Sequence, residues 1–222
     1  MIRFLRKAGK NMSKSLYSVV LTDEVVREVD RLALQQNTNR SNMINQILAQ
    51  FVSYTTPEMR INDIFRTIEE FINSDGADII PYVTPHQSTM SLKSSLEYRY
   101  RPTVKYEVEL YRNTESSNVG RLSVIFRTQS QTLIEEMNGF FRLWSQTESI
   151  LRPDKNTEYA LYDGRFVRGI NAENLTAQQT ADAISDYIKI FDSCMKGYLS
   201  GRFSKGDVIE KMKKYLSREV LI

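Results

Sequence analysis

Ser15-Leu16-Tyr17-Ser18-Val19-Val20-Leu21-Thr22-Asp23-Glu24 joins two kinds of pattern. Its first seven residues contain no Gly or Pro and are rich in β-branched and large apolar side chains, which favours a short strand. Side chains alternate along a strand, so Tyr17, Val19 and Leu21 share one face. Lys14, Leu16, Ser18 and Val20 share the other. Thr22 then stands where a helix is capped, and Asp23 and Glu24 suit the positive end of that helix. Beyond it, Val25, Val26, Val29, Leu32 and Ala33 recur as one apolar stripe of a helix. Arg27, Glu28, Asp30 and Arg31 cover the wet side.

Asn37 follows that helix and suits a left-handed helix end. Asn39 suits the N-cap of a second helix, whose apolar residues are Met43, Ile44, Ile47, Leu48 and Phe51, with Val52 alongside. Residues 14–54 therefore read as strand, helix, turn, helix. A single short strand needs a hydrogen-bonding partner, and two short helices cannot bury both apolar stripes alone. One solution is a homodimer with antiparallel paired strands and intertwined helices, with Tyr17, Val19 and Leu21 as its core. Docking onto the rest of the chain is the other solution these residues leave open.

The run Leu16 to Val26, then Leu32-Ala33, then Asn37-Thr38-Asn39-Arg40-Ser41-Asn42-Met43-Ile44 resembles the ribbon-helix-helix repressors of the MetJ/Arc/CopG type. The shared pattern is a strand ending in Leu plus a Ser/Thr cap, an apolar helix, an Asn-containing turn, and a cap followed by a basic residue and Ser. It covers about a fifth of the chain. The resemblance implies that the paired strands enter the major groove of double-stranded DNA as a β-ribbon. It also implies that the second helix binds a phosphate at its N-terminus, through Asn39, Arg40 and Ser41. Such phosphate contacts position a protein and do not specify sequence.

One departure from the family pattern matters. The expected base-facing positions are Lys14, Leu16, Ser18 and Val20, where family members usually carry several long polar side chains. Leu16 and Val20 can touch a thymine methyl but make no bidentate base contact. Affinity would then rest on phosphate contacts and on a flexible basic arm, residues 1–13, carrying Arg3, Arg6, Lys7 and Lys10. The competing reading is a structural or interaction protein that uses the unit only to dimerise.

The charge is uneven. Residues 1–54 hold eight Lys/Arg against four Asp/Glu, and the remainder holds 22 against 23, so the basic end is the candidate for a polyanion. No apolar run approaches the roughly 20 residues of a membrane span, no secretory signal follows Met1, and the single Cys194 cannot form an intramolecular disulfide. A cytoplasmic protein that does not engage a membrane is expected.

Residues 57–222 read as an α+β domain for ligand sensing, partner binding or further oligomerisation, with an antiparallel sheet and helices on one face. Thr55-Thr56-Pro57 separates it from the first unit. A helix is expected over about 58–73, then a loop over 74–89 with two prolines. Leu92, Leu96, Tyr98 and Tyr100 alternate, as do Val104, Tyr106, Val108 and Leu110, and Leu122, Val124 and Phe126. A long helix over about 130–151 follows. Then come a hairpin turning at Asp163-Gly164, a helix capped by Thr176 and Gln179, and a last helix from about Ser204.

Catalytic and metal-binding patterns are missing. His86 and Cys194 are the only residues of their types, so no metal site and no nickel-sensing domain of the kind found in some ribbon-helix-helix repressors is expected. No Gly-rich phosphate loop or nucleophile elbow occurs, so neither a cofactor nor an enzymatic activity is expected. Tyr98-Arg99-Tyr100-Arg101 and the strand from Tyr106 to Arg112 could stack single-stranded nucleic acid, although Tyr is also common on plain sheet surfaces. The sequence thus favours a DNA-binding regulator, a repressor or a genome-maintenance factor.

Overall fold

Alternation of apolar and charged residues between 89 and 171 produces one sheet. The computed structural model describes residues 15–74, 78–82, 88–96, 102–112, 117–153, 157–172 and 174–222. The strands are β1 (Ile79–Tyr82), β2 (Thr89–Ser95), β3 (Thr103–Leu110), β4 (Asn118–Phe126), β5 (Tyr159–Tyr162) and β6 (Arg165–Asn171). They lie in the order β1-β2-β3-β4-β6-β5, and every neighbouring pair is antiparallel.

β3 shows the logic most clearly. Val104, Tyr106, Val108 and Leu110 are buried, while Lys105, Glu107 and Glu109 are partly exposed on the opposite face. On that outer face Lys105 pairs with Glu107 at 2.6 Å, and Arg121 donates to Glu109 at 2.6 Å. The inner face is covered by helices α4 (Gln131–Leu151) and α5 (Ala177–Leu199). Phe141 packs on Phe126 and Phe166, and Phe191 packs on Tyr106 and Phe166, with ring centroids 6.2, 5.6, 6.3 and 5.2 Å apart. Helix α3 (Pro57–Ser74) turns Ile61, Ile64, Ile68 and Ile72 into the same core, and α6 (Lys205–Leu216) adds Val208, Met212 and Tyr215.

Local signals account for the helix boundaries. Thr56 accepts the Met59 N–H ahead of Pro57, whose fixed φ and missing N–H suit a first helical turn. Ser130 caps α4 through the Leu133 N–H. Thr176 with Gln179 forms the expected capping box, and Ser204 with Asp207 forms a second one on α6. Gly164 takes φ +70° in the β5–β6 hairpin. At Gly197 a Cβ would lie 2.0 Å from the Phe203 ring, so only glycine lets that ring lie against α5.

Two expectations are corrected. The stretch 74–89 is not all loop, because Ile79–Tyr82 pairs with β2. Pro81 disguises it, and a proline is tolerated there because β1 is an edge strand. The second concerns Thr22. It sits at the N-cap position with extended backbone, but its hydroxyl makes no capping bond. Tyr98, Tyr100, His86 and the arm residues lie outside the described residues.

The N-terminal region forms a smaller, separate core. Helices α1 (Asp23–Gln35) and α2 (Arg40–Phe51) pack through Val29, Ala33 and Met43, with Leu32 and Ile44 partly buried beside them. Asn37 has φ +49°, and the Thr38 N–H closes on the Ala33 carbonyl at 2.8 Å, which ends α1 in the left-handed manner. Asn39 caps α2 by accepting the Asn42 N–H at 2.9 Å. Residues 15–22 have no regular secondary structure. A strand is defined by ladder bonds to a neighbour, and among the described residues none pairs with this segment, so the expected strand is not formed.

Candidate nucleic-acid interface

The segment expected to form the ribbon lies open to solvent. Leu16 and Val20, on the expected base-facing side, are each 99% exposed, and Ser18 is exposed with them. On the other side exposure falls from 82% at Tyr17 to 67% at Val19 and 38% at Leu21 as the chain approaches α1. Lys14 lies outside the described residues. The two faces are thus already unequal in the single chain, but neither is covered.

Helix α2 extends the uncovered surface. Successive residues are 100° apart around a helix, which places Ile44, Ile47, Leu48 and Phe51 in one stripe. Ile44 is partly buried, Leu48 is 55% exposed and Phe51 88% exposed. Met43 turns fully inward against α1, and the small Ala49 is the other buried residue of the helix. Sequence reasoning placed these residues on the apolar side of α2 but named only Tyr17, Val19 and Leu21 as a dimer core. The signal that could have found them is arithmetic: α1 offers too little apolar surface to cover a stripe this wide.

At the start of α2 lie the three residues that the family resemblance assigns to phosphate. Asn39 spends its side-chain oxygen on the Asn42 N–H. The first N–H groups of a helix have no partner within the helix, and here Arg40 and Ser41 supply them. The first turn carries no acidic residue. Arg40 itself is engaged. Its Nε and Nη2 donate to the two Asp30 carboxylate oxygens at 2.7 and 2.6 Å, a bidentate bridge from α2 to α1 with both side chains about half exposed. The hydrogen bonds from Arg40 lower the Asp30 pKa, and Asp30 raises that of Arg40.

Charge is distributed differently from what the totals suggest. All five basic residues of 1–14, Arg3, Arg6, Lys7, Lys10 and Lys14, stand without an acidic neighbour in that stretch. Residues 15–54 hold only Arg27, Arg31 and Arg40 against Asp23, Glu24, Glu28 and Asp30. Arg27 pairs with Glu24 and Arg31 with Glu28 within α1. Arg40 is the sole charged residue between Arg31 and Glu58. The positive balance of the first 54 residues therefore resides in the arm and at Lys14, not on the helices.

Among the described residues of the C-terminal body, a dense group of buried titratable side chains surrounds Glu148. Arg168 on β6 is fully buried and donates to both oxygens of Glu148, the shortest contact being 2.6 Å. Tyr187 donates to Glu148 at 2.8 Å, and Trp144 donates to Tyr187 at 2.8 Å. Arg168 and Arg152 both donate to the main-chain oxygen of Ile222, at 2.7 and 2.6 Å. Burial works against the charge on Arg168, but the Glu148 carboxylate outweighs it and raises the pKa. Burial, reinforced by Glu148, holds the Tyr187 hydroxyl well above the usual range. Both Glu148 oxygens are occupied, so this carboxylate ties α4 to β6 and α5.

The aromatic-strand idea fails for Tyr106, which faces the core and donates to Asp192 at 2.7 Å. Among the described residues no three His, Cys, Asp or Glu side chains come together as metal ligands. None of the described helices is long and apolar enough to cross a membrane. Neither a family model, nor a curated protein, nor a solved structure matches the chain. The ribbon-helix-helix resemblance therefore rests on the sequence of residues 14–54 alone.

Proposed function

We propose that this protein binds double-stranded DNA as a homodimer built from residues 14–54, acting as a repressor or genome-maintenance factor. In this reading the body of residues 57–222 senses a ligand, recruits a partner or extends the assembly. The observation that carries it is the uncovered apolar surface of Tyr17, Val19, Leu21, Ile47, Leu48 and Phe51, where residues 15–22 have no regular secondary structure. A second copy supplies both needs together: ladder bonds for the strand and apolar cover for α2. Each such side chain contributes roughly 1.5–3 kcal/mol when fully buried, enough in sum to offset the entropy of association.

On DNA, the arm residues Arg3, Arg6, Lys7 and Lys10 supply most of the attraction to phosphates. Asn39, Arg40 and Ser41 anchor the start of α2 on the backbone, and Lys14 and Ser18 are the polar readers. Base discrimination is modest, because Leu16 and Val20 occupy the remaining reading positions.

The experiment is titration of a mixed-sequence duplex at increasing salt, with wild type, an arm variant lacking the four basic residues, and Arg40→Ala. Log affinity should fall linearly with log salt, by about 0.9 for each phosphate neutralised. The arm variant should lose the most slope and Arg40→Ala a smaller part. Absence of binding even at low salt would refute the DNA reading. Dimerisation without DNA binding would instead establish the second reading, an interaction protein that only dimerises through this unit. That reading is favoured by the excess of acid over base in residues 15–54.

A further inference from the structure

On the strength of the DNA reading, we infer that Asp30 is a built-in competitor for the phosphate that Arg40 would bind, and so sets how tightly the dimer holds DNA. Three observations converge on Asp30. Its carboxylate takes Arg40 in a two-point grip, Nε and Nη2 at 2.7 and 2.6 Å, the geometry a phosphate would use. Arg40 is the sole charge on α2 and its flanks, from residue 32 to residue 57, so nothing nearby on that helix replaces it. The two cations of α1, Arg27 and Arg31, are paired with Glu24 and Glu28 one turn away, which leaves Asp30 as the carboxylate that reaches across to α2.

The consequence is an exchange. A DNA phosphate arriving at the start of α2 either displaces Asp30 from the guanidinium or binds beside a carboxylate that repels it. The half-exposed position of both side chains makes the exchange sterically open. Asp30 thereby lowers affinity for phosphate backbone of any sequence, which limits non-specific binding. A structural tie between α1 and α2 would use the same contact but would leave the salt dependence of DNA binding unchanged.

The test compares wild type, Asp30→Asn, Asp30→Glu, Arg40→Ala and the Asp30→Asn/Arg40→Ala pair, titrated with a mixed-sequence duplex over a range of salt. Circular dichroism and sedimentation verify that each variant is folded and in the wild-type assembly state. Asp30→Asn should bind on the order of tenfold more tightly at low salt. Its log–log slope should be steeper by about 0.9 for each freed Arg40, two per dimer. Asp30→Glu, which keeps the carboxylate, should stay near wild type. In the Arg40→Ala background, Asp30→Asn should have little effect. Salt-dependent binding by wild type with no tightening in Asp30→Asn, or equal tightening with and without Arg40, overturns the role of Asp30 while leaving the DNA reading intact. No binding by either protein at low salt overturns the DNA reading and the role of Asp30 with it. Should Asp30→Asn unfold the hairpin, Asp30→Ser provides the same loss of charge, and Asp30→Glu then decides by its likeness to wild type in both affinity and slope.

Discussion

Residues 15–54 and residues 57–222 are made from the same materials, amphipathic helices and alternating extended segments. In the larger region helices α3 to α6 and strands β1 to β6 close one core that includes Trp144, Phe140, Phe166 and Phe191, all fully buried. In the smaller one only Val29, Ala33 and Met43 form a buried cluster, and most of the large apolar side chains remain in water. An amphipathic pattern states which face must be covered but not what covers it. The body has enough chain to cover its own faces; the hairpin does not, and its unmet need is the physical basis for expecting a second copy.

The comparison breaks most visibly at Glu148. Removing one partner of a buried ion pair costs about 3–5 kcal/mol, because the other charge stays buried without compensation. Glu148→Leu should therefore lower the urea midpoint of the body sharply. Replacing Arg168 by Met in the same chain should recover part of the loss. The helix–helix contact of residues 23–51 should be unaffected, and sedimentation should still report a dimer. If Glu148→Leu also dissolved the proposed dimer, the two regions would not be energetically separate.

A smaller effect, at the opposite end, comes from Leu48→Asp. A carboxylate in the proposed seam should convert the dimer to monomer at micromolar concentration while leaving the thermal unfolding of the body nearly unchanged. If the apolar stripe of α2 were instead covered by the body, the same substitution would lower the body's melting temperature and leave the assembly state alone.

The smallest effect concerns Cys194. Burial pushes its thiol up to about 11, whereas an unfolded cysteine ionises near about 8.5. The native pKa is the higher one, so the contribution to stability is whole below about pH 8.5 and is lost as pH rises toward 11. Native protein at pH 8 should react slowly with an alkylating reagent, and denatured protein at the same pH quickly. Rapid native labelling would mean that α5 opens far more readily than the rest of the core.

Much of the fold was legible. The helices α3, α4, α5 and α6 follow from stripes of Ile, Leu, Phe and Met with caps at Thr176 and Ser204, and β3 follows from strict alternation. Strand β1 was hidden because Pro81 reads as a breaker, and only an edge position makes it harmless. Arg168 was invisible as a core residue. A basic side chain on a strand looks exposed until Glu148, twenty residues earlier, arrives from α4 to neutralise it.

The proposed interface divides along the same line. The chemistry of residues 15–54 is written in order along the chain: the apolar run Leu16 to Leu21, the Asn39 cap, and Arg40 as the first residue of α2. Those features depend on local spacing, which sequence carries directly. The placing of the positive balance in residues 1–14 is countable along the chain, but the grip of Asp30 on Arg40 and the outward turn of Ile47, Leu48 and Phe51 emerged only from the packed hairpin. Each depends on which side chains of α1 and α2 meet across the Asn37 turn. Sequence alone therefore determined where the first region begins its helices. Tertiary structure decided which of its charges remain available and how much apolar surface is left over, because both are sums over contacts and not properties of any single residue.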